Sequence, residues 1–100
     1  MTNLQTNALR IIELLYPDID INGIEKYKDF FSSYNGLMPI VFECNNNTNM
    51  EIHIYPPTVQ LLEDKKYVFG YKDNLNKSEP EFIEALQLAV IKYLEIKNDE

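Results

Sequence analysis

The chain has no tryptophan, one cysteine, one histidine, three glycines and only nine lysines and arginines in 100 residues. Each scarcity removes a class of function. A lone thiol, Cys44, forms no internal disulfide, so a disulfide-stapled scaffold is excluded. No charged-then-apolar signal segment opens the chain, and a reducing cytoplasm is the expected location. Three glycines leave little material for a phosphate-cradling loop, and neither zinc-ligand spacing nor a nucleophile elbow occurs. Basic residues are outnumbered by sixteen Asp and Glu, giving a formal charge of -7 that repels nucleic-acid phosphates and anionic membranes. Apolar runs last only a few residues, far short of the roughly 20 that cross a bilayer. The partner that fits is a protein, and a basic one.

What is present is the composition of an ordinary globular protein, with 45% hydrophobic and 25% charged residues. Residues 1–100 read as a single domain, without repeat, low-complexity block or linker. The strongest pattern is SEPEFIEALQLAVIKYLEI, residues 78–96. Ser78 and Glu81 have the spacing of a capping box, and Pro80 sits where its missing N–H is harmless. Phe82, Ile83, Leu86, Ala89, Val90, Tyr93 and Leu94 recur at three- and four-residue intervals, so one face of a long helix is expected to be buried.

A second capping box, Thr2 with Gln5, opens a helix expected over 2–16, with Leu4, Ala8, Ile11, Ile12 and Leu15 on one face and Pro17 as its stop. Residues 18–31 read as a short second helix carrying Ile24, Tyr27, Phe30 and Phe31. The run from 33 to 44 supports two readings. Ile40, Val41 and Phe42 prefer a strand, while Leu37, Met38, Val41 and Cys44 share a helical face that Ser33 or Asn35 can cap, with Pro39 in the first turn. Helix is the expectation adopted. Met50 to Tyr55 alternates, Ile52 and Ile54 against Glu51, His53 and Tyr55, as a half-buried strand does. Further strands are expected over 58–62 and 67–71, across a charged turn at 63–66. The expected fold class is therefore α+β: a small antiparallel sheet of two or three strands packed against helices, with a long C-terminal amphipathic helix.

Three motifs bear on chemistry. Asp18-Ile-Asp-Ile-Asn-Gly23 matches the first half of a calcium loop, with oxygen ligands at Asp18, Asp20 and Asn22 and a turn glycine at the sixth position. Asp29 occupies the twelfth position, where the bidentate ligand is normally Glu, and Lys26 puts a positive charge inside the loop. Solvated carboxylates around packed isoleucines are the simpler reading, and no cofactor or metal is expected. Cys44 and His53 form a nucleophilic pair only if the fold brings them together, and Cys44 fits a small core residue better. The acidic cluster Asp18, Asp20, Glu25 and Asp29 admits nucleic-acid mimicry, though Lys26 and Lys28 interrupt it.

Two stretches resemble known families. YNGLMPIV, from Tyr34 to Val41, and FIEALQLAVIKYLE, from Phe82 to Glu95, resemble the phage ABA sandwich domain, so the likeness spans roughly residues 32–96. It implies a helix, antiparallel strands and a closing helix, and a phage-derived binding protein with no catalytic residues. EKYKDFFSSYNG, from Glu25 to Gly36, resembles the SUKH family of bacterial immunity proteins, which also bind rather than catalyse. Together they imply a small non-enzymatic accessory protein that acts by protein–protein binding, with inhibition of a host system as its role; the alternatives are an immunity protein or an acidic mimic. On the wheel of the last helix, Leu88 and Ile91 fall opposite Leu86 beside Glu84 and Glu95. These four are the expected partner-binding or self-association surface, two apolar anchors in an acidic border.

Overall fold

A computed structural model of the chain describes residues 2–55, 58–72 and 79–99. Helix α1 (Asn3–Leu15) begins at the expected capping box: the Thr2 hydroxyl accepts from the Gln5 N–H, and the Gln5 side chain accepts from the Thr2 N–H. Ala8, Ile11 and Ile12 bury its inner face. Helix α2 (Ile21–Lys28) is shorter than expected. Its first turn is capped by Asp20, which accepts from the Gly23 N–H at 2.8 Å. The end is set by Ser32, whose hydroxyl donates to the Lys28 carbonyl at 2.8 Å and satisfies a group the helix leaves open. A single 3₁₀ turn, Phe30–Ser32, follows and drives Phe31 into the core.

Residues 33–44 are helical, inside α3 (Tyr34–Asn47), with Ser33 as the cap accepting from the Gly36 N–H. Pro39 lies in the second turn, not the first. The i→i−4 bond it cannot make belongs to the Asn35 carbonyl, and both residues are exposed, so water can take the bond's place. The sheet is antiparallel in the order β1 (Met50–Tyr55), β2 (Thr58–Glu63), β3 (Lys66–Lys72). Ile52 pairs with Leu61 and Ile54 with Val59, which places the apolar side chains of β1 and β2 on one face. Asp64 and Lys65 make the β2–β3 turn, with φ of 53° and 65°, the positive values a two-residue type I′ turn needs.

Helix α4 (Glu79–Asn98) lies at the centre, against α1, α3 and all three strands. The expected face is buried: Leu86, Ala89, Val90, Tyr93 and Leu94 are at most 1% exposed and Ile83 7%. Ser78, the expected cap, lies outside the described residues. Contacts from Gln87 to Leu4, Glu95 to Arg10 and Asn98 to Leu14 climb both helices together, so α1 and α4 run parallel. Among the described residues no helix is long and apolar enough to cross a membrane.

Candidate functional site

Two of the four residues of the sequence-expected surface on α4 are engaged within the chain. Glu95 accepts a 3.0 Å bond from Arg10 of α1, and Ile91 packs against the core. Leu88 and Glu84 are half-buried. Ile91 is partly taken up because α1 packs against α4 and a wheel drawn for one helix does not know its neighbour, while Leu88 keeps an intermediate exposure.

Large apolar residues are exposed at several places, Ile21, Phe42, Tyr55 and Tyr67 among them, and the aromatic ones that cluster beside concavities lie where α1 ends. Pro17 stops α1 at Tyr16, whose N–H donates to the Ile12 carbonyl at 2.7 Å and whose carbonyl accepts from Ile19 at 3.1 Å. This tight reversal holds the Tyr16 ring beside α2. Tyr16 stacks on Tyr27 with centroids 5.8 Å apart, Tyr27 meets Phe31 at 6.0 Å, and Phe31 meets Phe30 edge-on at 5.0 Å. Phe31 is the buried root of this series. Tyr16 and Phe30 are each 45% exposed, more than edge-on packing in a core requires.

Three concavities meet at Tyr16. One, of about 270 Å³, lies between α1, the 3₁₀ turn and α3, with Phe30, Pro39 and Ile40 as apolar walls and Glu43 at its border. A second, of about 400 Å³, is lined by Pro17, Asp18, Ile19 and Tyr27. The third, of about 280 Å³, continues along α1 past Leu9 and Glu13. Gly36 is required under the first: a Cβ there would collide with the Phe30 carbonyl oxygen, so only glycine lets α3 approach the 3₁₀ turn. All charged residues lining the three are acidic, namely Glu13, Asp18 and Glu43. Glu13 is paired with Arg10 at 3.0 Å and Glu43 with Lys97 at 2.7 Å, while Asp18 has no ion pair among the described residues.

The remaining sequence motifs are placed as follows. Asp20 spends its side chain on capping α2, and Ile21 to Lys28 is helical, so Asp18, Asp20 and Asn22 do not wrap a common centre as a calcium loop does. Of the acidic cluster, Glu25 is paired with Lys28 at 3.5 Å. Cys44 is fully buried in the core, and burial pushes its thiol up to about 11, the reverse of what a nucleophile needs. His53 instead lies along β1 between Glu51, at 3.4 Å, and the Tyr55 hydroxyl, at 3.4 Å. Sequence reasoning assigned Tyr27, Phe30 and Phe31 to one packed helical face and gave Tyr16 no role. The available signal was Tyr16 itself, an aromatic at the last position before a proline stop, where no helical face remains to bury it. Comparison with protein-family models, with curated proteins and with solved structures finds no match to this chain.

Proposed function

We propose that this chain is a non-enzymatic binding protein that captures a segment of a basic partner protein in the groove around Tyr16, and that it serves as a phage accessory protein directed against a host system. The observation that carries the reading is the groove: exposed aromatic rings beside the carboxylates of Glu13, Asp18 and Glu43, with the Lys26 ammonium 5.5 Å from the Tyr27 ring as a cation already at its edge. Interfaces concentrate their energy in buried aromatic anchors inside a polar rim, and that is the chemistry available here. The buried, poorly ionised Cys44 is unsuited to be a nucleophile and is assigned to the core. The order α3, three antiparallel strands, α4 is the one the resemblance over residues 32–96 implies, and the phage part of the reading rests on that resemblance alone.

The test is a photo-reactive phenylalanine analogue placed at Tyr16 and, separately, at Tyr67 on β3, which is 64% exposed and lines none of the three concavities. In host lysate, irradiation is expected to yield one dominant cross-linked protein from the Tyr16 position and none from Tyr67. Equal labelling from both positions counts against the groove.

A further inference from the structure

We infer that the groove selects arginine: its ligand is a peptide segment in which an arginine is flanked by bulky apolar residues. The inference rests on the binding reading above and adds the chemistry of the occupant. Two features of the surface meet in one side chain. Tyr16, stacked on Tyr27 through one face, and Phe30 are residues nearly half exposed, and a guanidinium stacks on a free aromatic face. Asp18 and Glu43, on the two concavities that share Tyr16, offer carboxylates that a planar guanidinium can grip with two parallel N–H bonds. Lysine brings the same charge but neither the planarity nor the weak hydration that lets a cation leave water for an aromatic shelf. The ion pairs already present do not exhaust the border. Glu43 keeps acceptor sites beyond its single bond from Lys97, its side chain remains 42% exposed, and Asp18 is unpaired among the described residues. The apolar flanks follow from the walls, since the side chains of Leu15, Pro39, Ile40 and Ile19 provide no polar partner and favour apolar neighbours of the arginine.

The experiment is a selection from a random dodecapeptide library on the full chain, repeated on Tyr16→Ser and Asp18→Asn proteins whose melting has been matched to the parent. Peptides bound through Tyr16 are expected to be enriched in arginine beside leucine, phenylalanine or proline. Replacing that arginine by citrulline, which keeps the shape and removes the charge, is expected to weaken binding about tenfold or more, consistent with a desolvated cation on an aromatic shelf. Lysine in its place should recover only part of the loss. Asp18→Asn should weaken the arginine peptides about two- to five-fold, the range of one exposed charge pair, and leave their citrulline forms unchanged. Tyr16-dependent peptides that are neutral or acidic would overturn the arginine inference while leaving the groove as a binding site. Enriched peptides indifferent to Tyr16→Ser, or no enrichment at all, would overturn the groove itself. If Tyr16→Ser fails to fold, Phe30→Ala, on the opposite wall, makes the same separation.

Discussion

Gln87 sits fully buried in the middle of α4, at a position where burial normally demands an apolar side chain. Its Nε2 donates at 2.8 Å to the Leu4 carbonyl of α1 and at 2.8 Å to the Phe31 carbonyl of the 3₁₀ turn. One amide thereby fastens the base of the groove to the central helix. Gln87→Leu keeps the volume but strands the Phe31 carbonyl, and is expected to cost about 1–3 kcal/mol in thermal or denaturant unfolding. Gln87→Glu is expected to cost more at neutral pH, since it sets a carboxylate against two carbonyl oxygens. That excess should shrink as the buffer is lowered toward the usual carboxylate pKa of about 4.3 and be gone below it, where the acid is protonated in both states and can donate once. Cys44 has a pH dependence of the same sign, displaced to alkaline pH. Its thiol ionises near 9 when unfolded and at about 11 in the fold, so folding favours the neutral form. Stability is unaffected below the lower value and falls as pH rises through the window between them, by roughly 2–3 kcal/mol across it. Burial raises Tyr93 in the same direction, so comparison of the parent with Cys44→Ala is needed to isolate the thiol's part. A Cys44→Ala protein whose alkaline slope equals the parent's would remove Cys44 as the cause.

Elements set by near neighbours were legible in the sequence, and those set by distant ones were not. The Thr2–Gln5 box, the Pro17 stop and the alternation of Met50 to Tyr55 are local devices, and each lies within a residue of where it was expected. The helix over 33–44 was ambiguous because its β-branched residues pull toward strand. Ser33 capping and the burial of Leu37, Ile40, Val41 and Cys44 on one face decide for helix. Its end is also tertiary: Asn45 turns its amide onto Ile52, accepting from the N–H at 2.6 Å and donating to the carbonyl at 3.1 Å, and so caps the outer edge of β1. The splitting of 18–31 into α2 and a 3₁₀ turn depends on Ser32, whose hydroxyl reaches both Lys28 and Leu4, the latter 28 residues away. At this scale the hairpin gives a clean test. Lys65 holds a left-handed φ of 65° that costs an ordinary side chain about 1–2 kcal/mol, so Lys65→Gly is expected to raise stability by about 0.5–1 kcal/mol once the added unfolded-state freedom is set against it. Gly36→Ala should act in the other direction, by several times that amount, because the methyl has the Phe30 carbonyl in its place.

Across the whole molecule, the parallel pairing of α1 with α4 decides which surfaces are open to a partner. The two helices come from opposite ends of the chain, and nothing in either amphipathic pattern announces that they meet. Arg10 links Glu13 on its own helix to Glu95 on α4, Asn98 donates to the Leu14 carbonyl at 3.3 Å, and Ile91 packs beneath them. Ile91, which the helical wheel turns outward, is therefore partly recruited to the fold, while Tyr16 and Phe30 stay half exposed near the C-terminal end of α1. Two variants separate these roles. Ile91→Ser puts a hydroxyl among packed groups and is expected to lower stability by about 1–3 kcal/mol, with partner capture falling only as far as the folded fraction falls. Tyr16→Ser removes a half-exposed ring that contacts Tyr27 on one side, so its melting should shift little, by about 1 kcal/mol or less, while capture falls at least about tenfold. The two effects should appear in opposite assays. A well-folded Ile91→Ser protein that loses its partner, beside a Tyr16→Ser protein that keeps it, would move the binding surface from the groove back to α4.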